Sequence, residues 1–278
     1  MKKIIAVFDG LRFSESTLQY TITLAERDGA HITGLFLDDF TYNSFDVYKM
    51  IREGATAEEI ADFEMRDKIK RDKAGSHFES ACQKAGLTCN VHHDKNVAIQ
   101  DVLHESIYAD LLVVGVHETF IQDKESLPTR FIRDLLAEVQ CPVLVTPAEY
   151  TDIQKAVLLY DGEPSSVYAI KMAGYLLPWL KTMQVEVLSI NEEETGNHLA
   201  DNHLMREYMK WIFPDTIYKV MQGQPENKIV HHLHLQPANT LVVLGAYQRG
   251  MVSRWFRTSM ADVLMEKLKL PLFIAHNK

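Results

Sequence analysis

Residues 239–275 read NTLVVLGAYQRGMVSRWFRTSMADVLMEKLKLPLFIA, and the rest of the chain can be placed around this stretch. It opens on an unbroken apolar run, Leu241-Val242-Val243-Leu244, that stops at Gly245. A loop carrying Arg249, Arg254 and Arg257 follows, then a helical pattern over 259–269, then a second apolar run after Pro271, Leu272-Phe273-Ile274-Ala275. A short strand that is apolar on both faces has no side to offer to water, so it belongs inside a parallel sheet covered by helices. Strand, glycine turn, helix and strand in this order make a βαβ unit. In open sheets of that kind ligands sit beyond the carboxyl ends of the strands, which makes Gly245 and its loop the place to look for a site.

At 278 residues the chain is long for one such sheet and a comfortable length for two domains. With 46% hydrophobic and 24% charged residues it has the balance of a globular protein. No apolar run reaches the roughly 18 residues of a membrane span. The opening Met1-Lys2-Lys3 is followed by only five apolar residues before Asp9, which reads as a first strand and not as a signal peptide. Three cysteines, Cys82, Cys89 and Cys141, are too few and too scattered for a disulfide framework or a zinc site, and Cys82 and Cys141 read as core residues. The expected compartment is the cytoplasm. The net charge of -9 resides in residues 1–150, with 16 Lys+Arg against 25 Asp+Glu, while residues 151–278 hold 13 of each. An acidic first half, and no basic stripe with interleaved aromatics in either half, exclude nucleic acid as an expected partner.

Taken in order, the pattern predicts strands over 4–8, 31–37, 87–92, 110–115 and 142–146, with helices over 14–29, 57–85, 97–107 and 129–139. The segment 38–53 reads as a loop or short helix. From 156 the pattern repeats: strands over 156–162, 184–190, 216–221, 241–245 and 272–275, with helices over 165–177, within 198–213, through Ile229 and Leu233, and over 259–269. Asp9-Gly10 and Asp161-Gly162 close the two opening strands. Two copies of one α/β unit, 1–150 and 151–278, follow from this, and strands alternating with helices imply a parallel sheet with right-handed crossovers. The first copy carries about 22 extra residues between its Asp-Gly and its fourth-strand glycine, placed between 38 and 75.

Four features in order resemble the universal stress protein family: Asp-Gly after strand one, a fourth strand of the type (Asp/Asn)-x-Leu-Val-Val-x-Gly, a helix after its loop, and a last strand introduced by Cys-Pro or Leu-Pro. Both halves carry them, as Asp9-Gly10, 109–115 and Cys141-Pro142, then Asp161-Gly162, 239–245 and Leu270-Pro271. The chain is identified on these as a tandem member of that family. The resemblance implies two doubly wound, Rossmann-like domains, each a five-stranded parallel sheet of order 3-2-1-4-5, associating through their fifth strands as an intramolecular pseudo-dimer. It implies a role in stress response as a binding or regulatory module, with a homodimer and an unidentified regulatory protein as further partners.

Members that bind ATP carry Gly-x2-Gly-x9-Gly-(Ser/Thr) after strand four, where glycines let backbone amides approach phosphates and the hydroxyl donates at a helix N-terminus. In the second half Gly245 keeps the first position, Gln248 and Thr258 replace the next two glycines, Ser259 keeps the hydroxyl, and Gly250 lies two residues past the second position. The resemblance thus points to an adenine nucleotide or another anion at Asp161, Gly245, Arg249, Gly250, Thr258 and Ser259, with the arginines replacing part of the cradle. In the first half, Asp9 and Gly115 are the matching residues, but Glu118 takes the second glycine's place and would oppose a phosphate; Pro128-Thr129 stands for Gly-Ser.

Other readings stand beside these. The arginine loop is also what a solvated surface loop looks like, with Trp255 and Phe256 packing its helix. Asp9 and Asp161 also suit turns in which the carboxylate caps backbone amides. His231, His232 and His234, and His92-His93, read as solvated, while His117 at the ligand end is a better binding candidate. The charge-rich helix 57–85 reads as a solvated face, or with Phe40, Tyr42, Phe45 and Tyr48 as a partner surface or lid. Neither a Gly-x-Ser-x-Gly elbow nor a P-loop is present, so catalytic and metal residues are not assigned; a slow ATPase and a ligand-free interaction protein are the alternative functions.

Overall fold

The structure, a computed structural model, describes residues 1–37, 47–94, 97–121, 124–191, 198–245 and 259–277. The first half runs β1 (Lys3–Phe8), α1 (Glu15–Asp28), β2 (His31–Leu37), α2 (Val47–Arg52), α3 (Ala57–Lys84), β3 (Cys89–Asp94), α4 (Ala98–Ser106), β4 (Leu111–Gly115), α5 (Arg130–Glu138) and β5 (Val143–Thr146). The second runs β6 (Lys155–Leu159), α6 (Pro164–Leu176), β7 (Gln184–Asn191), α7 (Asn202–Ile212), β8 (Ile217–Gln222), α8 (Pro225–His234), β9 (Thr240–Gly245), α9 (Met260–Lys267) and β10 (Leu272–Ala275).

The ten strands of the described residues join one sheet of order β3-β2-β1-β4-β5-β10-β9-β6-β7-β8. Each half reads third, second, first, fourth, fifth, which is the α/β, Rossmann-like class. Every pairing is parallel except that of β5 with β10, where Val143, Leu144 and Val145 stand opposite Ile274, Phe273 and Leu272. The fifth strands pair with each other, as expected of a pseudo-dimer within one chain, and continue one sheet across the middle, so neither is left with an open edge. Helices α1, α3, α6 and α7 pack one face, and α4, α5, α8 and α9 the other. The middle strands are buried on both faces, which is why they read as unbroken apolar runs.

Local chemistry sets the helix ends. The Ser14 hydroxyl accepts from Thr17 N–H at the start of α1, and Gly29 ends it in the left-handed region at φ 62°. Thr56 and Glu59 form a reciprocal capping box on α3. The two halves are tied beside the seam as well. Arg27 pairs with Asp152 (2.7 Å) and lies over the Trp179 ring, and Arg133 of α5 reaches Asp262 of α9 at 3.5 Å.

Differences from the sequence reading are small and local. β3 starts at Cys89 because the chain overruns α3: Leu87 N–H still donates to Cys82 O (3.0 Å). A 3-10 turn, Pro178–Thr182, went unread because Pro178 looks like a helix terminator and not a new start. The first-half insert holds α2, which buries nothing, and the exposed first turns of α3. Tyr48 is exposed there, while Phe40, Tyr42 and Phe45 lie outside the described residues.

Candidate functional site

The ligand side of each half is built on an aspartate that ends or follows its first strand. Leu11 N–H donates to Asp9 Oδ1 (2.8 Å), and Glu163 N–H donates to Asp161 Oδ1 (3.0 Å). In both halves one carboxylate oxygen therefore caps an amide two residues on, the turn role an Asp-Gly pair favours. The environments then diverge: Asp9 is buried, Asp161 half-buried.

In the first half a cavity of about 470 Å³ opens where the order switches between β1 and β4, lined among others by Asp9, Arg12, Gly115, Glu118, Glu125 and Thr129. Asp9 and Gly115 are thus brought together as expected of one crevice. Several of its polar groups are already engaged within the protein. Glu118 N–H donates to Gly115 O (3.1 Å), closing a turn that folds the Glu118 side chain inward, 5% exposed. A Cβ added at Gly115 would stand 3.3 Å from Glu118 Oε1 and 3.2 Å from Thr17 Oγ1. Burial, and next the charge of Asp9, hold the Glu118 carboxyl well above the ordinary carboxylate range; the Asp9 amide and Arg12 pull more weakly the other way. The sequence reading set this carboxylate against a phosphate; in the fold it is buried under the turn.

The head of α5 is filled too. Thr129 accepts from Ile132 N–H (3.3 Å) and donates to Glu118 O (2.6 Å), so its only donor is spent within the protein. Glu125, its side chain 13% exposed, accepts from Arg130 N–H (2.9 Å) and lies 3.2 Å from Arg130 Nε. The positive end of this helix, the natural place for an anion, meets the protein's own carboxylate. Glu125 went unnoticed in the sequence because it fits no family position; five residues ahead of a helical arginine it carried no spacing signal. His117 is exposed at the rim of the same cavity.

The second half is arranged differently. Gly245 ends β9 against the first turn of α6: a Cβ there would lie 2.4 Å from Ser165 O and 2.8 Å from Ser166 N. Only glycine fits. Ser259 is the N-cap of α9 in extended geometry, yet its hydroxyl makes no cap bond. That oxygen is buried and has no hydrogen-bond partner among the described residues. Arg249, Gly250 and Thr258, like Arg254, Trp255, Phe256 and Arg257, lie outside the described residues.

One histidine reading needs correction. His231 and His234 are exposed, but His232 is buried, with Nε2 2.6 Å from Glu186 Oε1 and Nδ1 3.3 Å from Lys219 Nζ. Lys155 Nζ completes this group at 3.4 Å from Glu186 Oε2. Its place three residues after the buried Ile229 was the available signal. Burial raises the Glu186 carboxyl, but the hydrogen bond and charge of His232 with the charge of Lys155 outweigh it, and the net direction is down. His92 is likewise paired, 2.6 Å from Glu105, and His93 stacks on Phe36. Among the described residues no cluster of three or more His, Cys, Asp or Glu could hold a metal ion, and no helix is long and apolar enough to cross a membrane.

The sequence matches no protein-family model and no curated protein. Among solved structures, the chain is similar to a universal stress protein from Archaeoglobus fulgidus, with a TM-score of 0.71 and 14% identity over 99% of this chain and 96% of that one. It is also similar to a functionally unknown protein from Pseudomonas aeruginosa, with a TM-score of 0.60 and 14% identity over 99% of this chain and 92% of that one. At such identities the likeness establishes the fold, which is that of universal stress proteins along nearly the full chain.

Proposed function

We propose that the chain is a tandem universal stress protein, with domains at 1–150 and 151–278, acting in the cytoplasm as a non-enzymatic binding and regulatory module in stress response. The second domain takes an adenine nucleotide or a related anion, and the first domain does not. The observation that carries this reading is the contrast between Thr129 and Ser259. They occupy equivalent positions at the heads of α5 and α9; one hydroxyl makes two hydrogen bonds within the protein, and the other is buried with none among the described residues. A buried hydroxyl without a partner is costly unless a ligand supplies the missing bond. The proposed site adds Asp161 and Gly245 to Ser259, together with Arg249, Gly250 and Thr258 of the intervening loop, where guanidinium groups would bind two phosphate oxygens at once.

Titration calorimetry with ATP and Mg²⁺ tests the proposal. Saturable heat is expected, and Ser259→Ala should weaken binding roughly tenfold or more, the worth of one hydrogen bond to a charged group. No heat at millimolar ligand removes the nucleotide from the proposal. The β5–β10 seam supports an intramolecular pseudo-dimer in place of association between two chains, which leaves the outer helix faces for a regulatory protein partner.

A further inference from the structure

Cys82 and Cys89 stand on the two sides of one tight reversal. Helix α3 lays Ala74, Phe78 and Cys82, spaced by four, onto the sheet, and all three are buried. Phe78 fills the space over Gly34 of β2, where a Cβ would lie 2.7 Å from its ring. Strand β3 turns alternate residues toward the same helix. The position of the missing Gly75 Cβ lies 3.3 Å from His93 Nε2 and 3.8 Å from Val91 Cγ1, and Cys89 is the next residue of that face. Cys89 and Val91 pack against the core that contains Phe78 and Cys82.

The helix runs antiparallel to β3 and reverses through Gly86, at φ 69°, with Leu87 N–H bonded to Cys82 O. Its last turn therefore lies over the first residue of the strand, which sets Cys89 beside Cys82 in the same packed layer, near enough for the Cys89 thiol to add to the upward push on Cys82. Cys89 is partly exposed and Cys82 fully buried, while Cys141 sits in the core on the other face of the sheet. Three cysteines thus divide into a facing pair and a single residue.

We propose that Cys82 and Cys89 form an oxidisable dithiol that closes to an intramolecular disulfide when a peroxide reaches Cys89. The Cys89 thiolate attacks one oxygen of hydrogen peroxide, becoming a sulfenic acid while the other oxygen leaves as water. The Cys82 sulfur then bonds to the Cys89 sulfur, and the sulfenic oxygen departs as a second water with the Cys82 proton. Two thiols lose two electrons and one peroxide becomes two waters. Burial pushes the Cys82 thiol up to about 12, so it does not meet the oxidant first and stays reduced to resolve Cys89.

The bond would tie β3, the outermost strand of its half, to the last turn of α3. Three turns back along that helix, Arg71 packs on Gly10, beside Asp9, so the staple fixes the helix that roofs the first-half turn.

The test treats the full chain with one equivalent of hydrogen peroxide and reads intact mass, thiols titrated in denaturant, and peptides mapped without reductant. The expected result is loss of two hydrogens' mass, a fall from three titratable thiols to one, and a cross-linked peptide joining Cys82 to Cys89. Cys141→Ser should retain the cross-link and Cys89→Ser abolish it. Cys82→Ala, or Cys82→Ser where alanine folds poorly, should leave Cys89 as a sulfenic acid trapped by dimedone. Three intact thiols, a disulfide between chains, or Cys89 passing directly to sulfinic acid in the unmutated protein would each overturn the proposal.

Discussion

A carboxyl group buried beside a second carboxylate folds with its proton on, whereas the unfolded chain releases that proton near the ordinary glutamate value of 4.5. Between that value and the raised native one, folded Glu118 binds more protons than unfolded Glu118. Its contribution to stability is therefore complete at low pH and is lost as pH rises, with a slope of at most about 1.4 kcal/mol per pH unit. Glu186 acts in the other window: lowered in the native state, it stabilises above the ordinary glutamate value and loses that contribution as pH falls through its native one. Glu118→Gln keeps the shape of the neutral acid and removes the titration. Urea unfolding from pH 5 to 9 should show a flatter neutral-side decline in this variant; an unchanged decline would show that Glu118 is not the group responsible. The sequence marked Glu118 as out of place for phosphate but could not show that it is buried, because burial depends on a turn closed by Gly115.

Among elements, the sequence was most legible where periodicity and burial coincide. β4, β9 and β10 are apolar on both faces and stand where their runs predicted. Legibility failed where contacts from elsewhere in the fold decide. The end of α3 and the start of β3 are set by a bond back to Cys82, and His232 is buried by a glutamate on a strand more than 40 residues away. Gly245 shows both sides of this. As a motif residue it signals backbone approach to a ligand; in the fold it lets α6 sit against the end of β9. Gly245→Ala meets backbone atoms that have no rotamer to change, and should cost about 1–3 kcal/mol or more in unfolding free energy. Gly115→Ala meets the ends of two side chains and should cost clearly less. Equal losses in thermal or urea unfolding would contradict the packing role assigned to Gly245.

For the molecule as a whole, the decisive contact is the short seam of β5 with β10, three residue pairs long and buried on both faces. A piece comprising residues 1–150 would leave β5 with an uncovered apolar edge, which favours pairing with another strand. Such a piece should self-associate, measured by light scattering after size exclusion, while the full chain should not use that edge. A monomeric, folded 1–150 piece would show that the seam is dispensable.

That seam also gives the molecule a direction. Because it is the one antiparallel junction in the sheet, the carboxyl ends of the first five strands point one way and those of the last five the other. The cavity beside Asp9 and the turn at Asp161 consequently lie at opposite edges of one sheet. Two identical chains joined in this manner would have to present identical poles. A single chain need not, and here one pole has Glu118 and Glu125 lining its cavity while the other holds a buried serine hydroxyl. A partner that grips this sheet can therefore tell its ends apart.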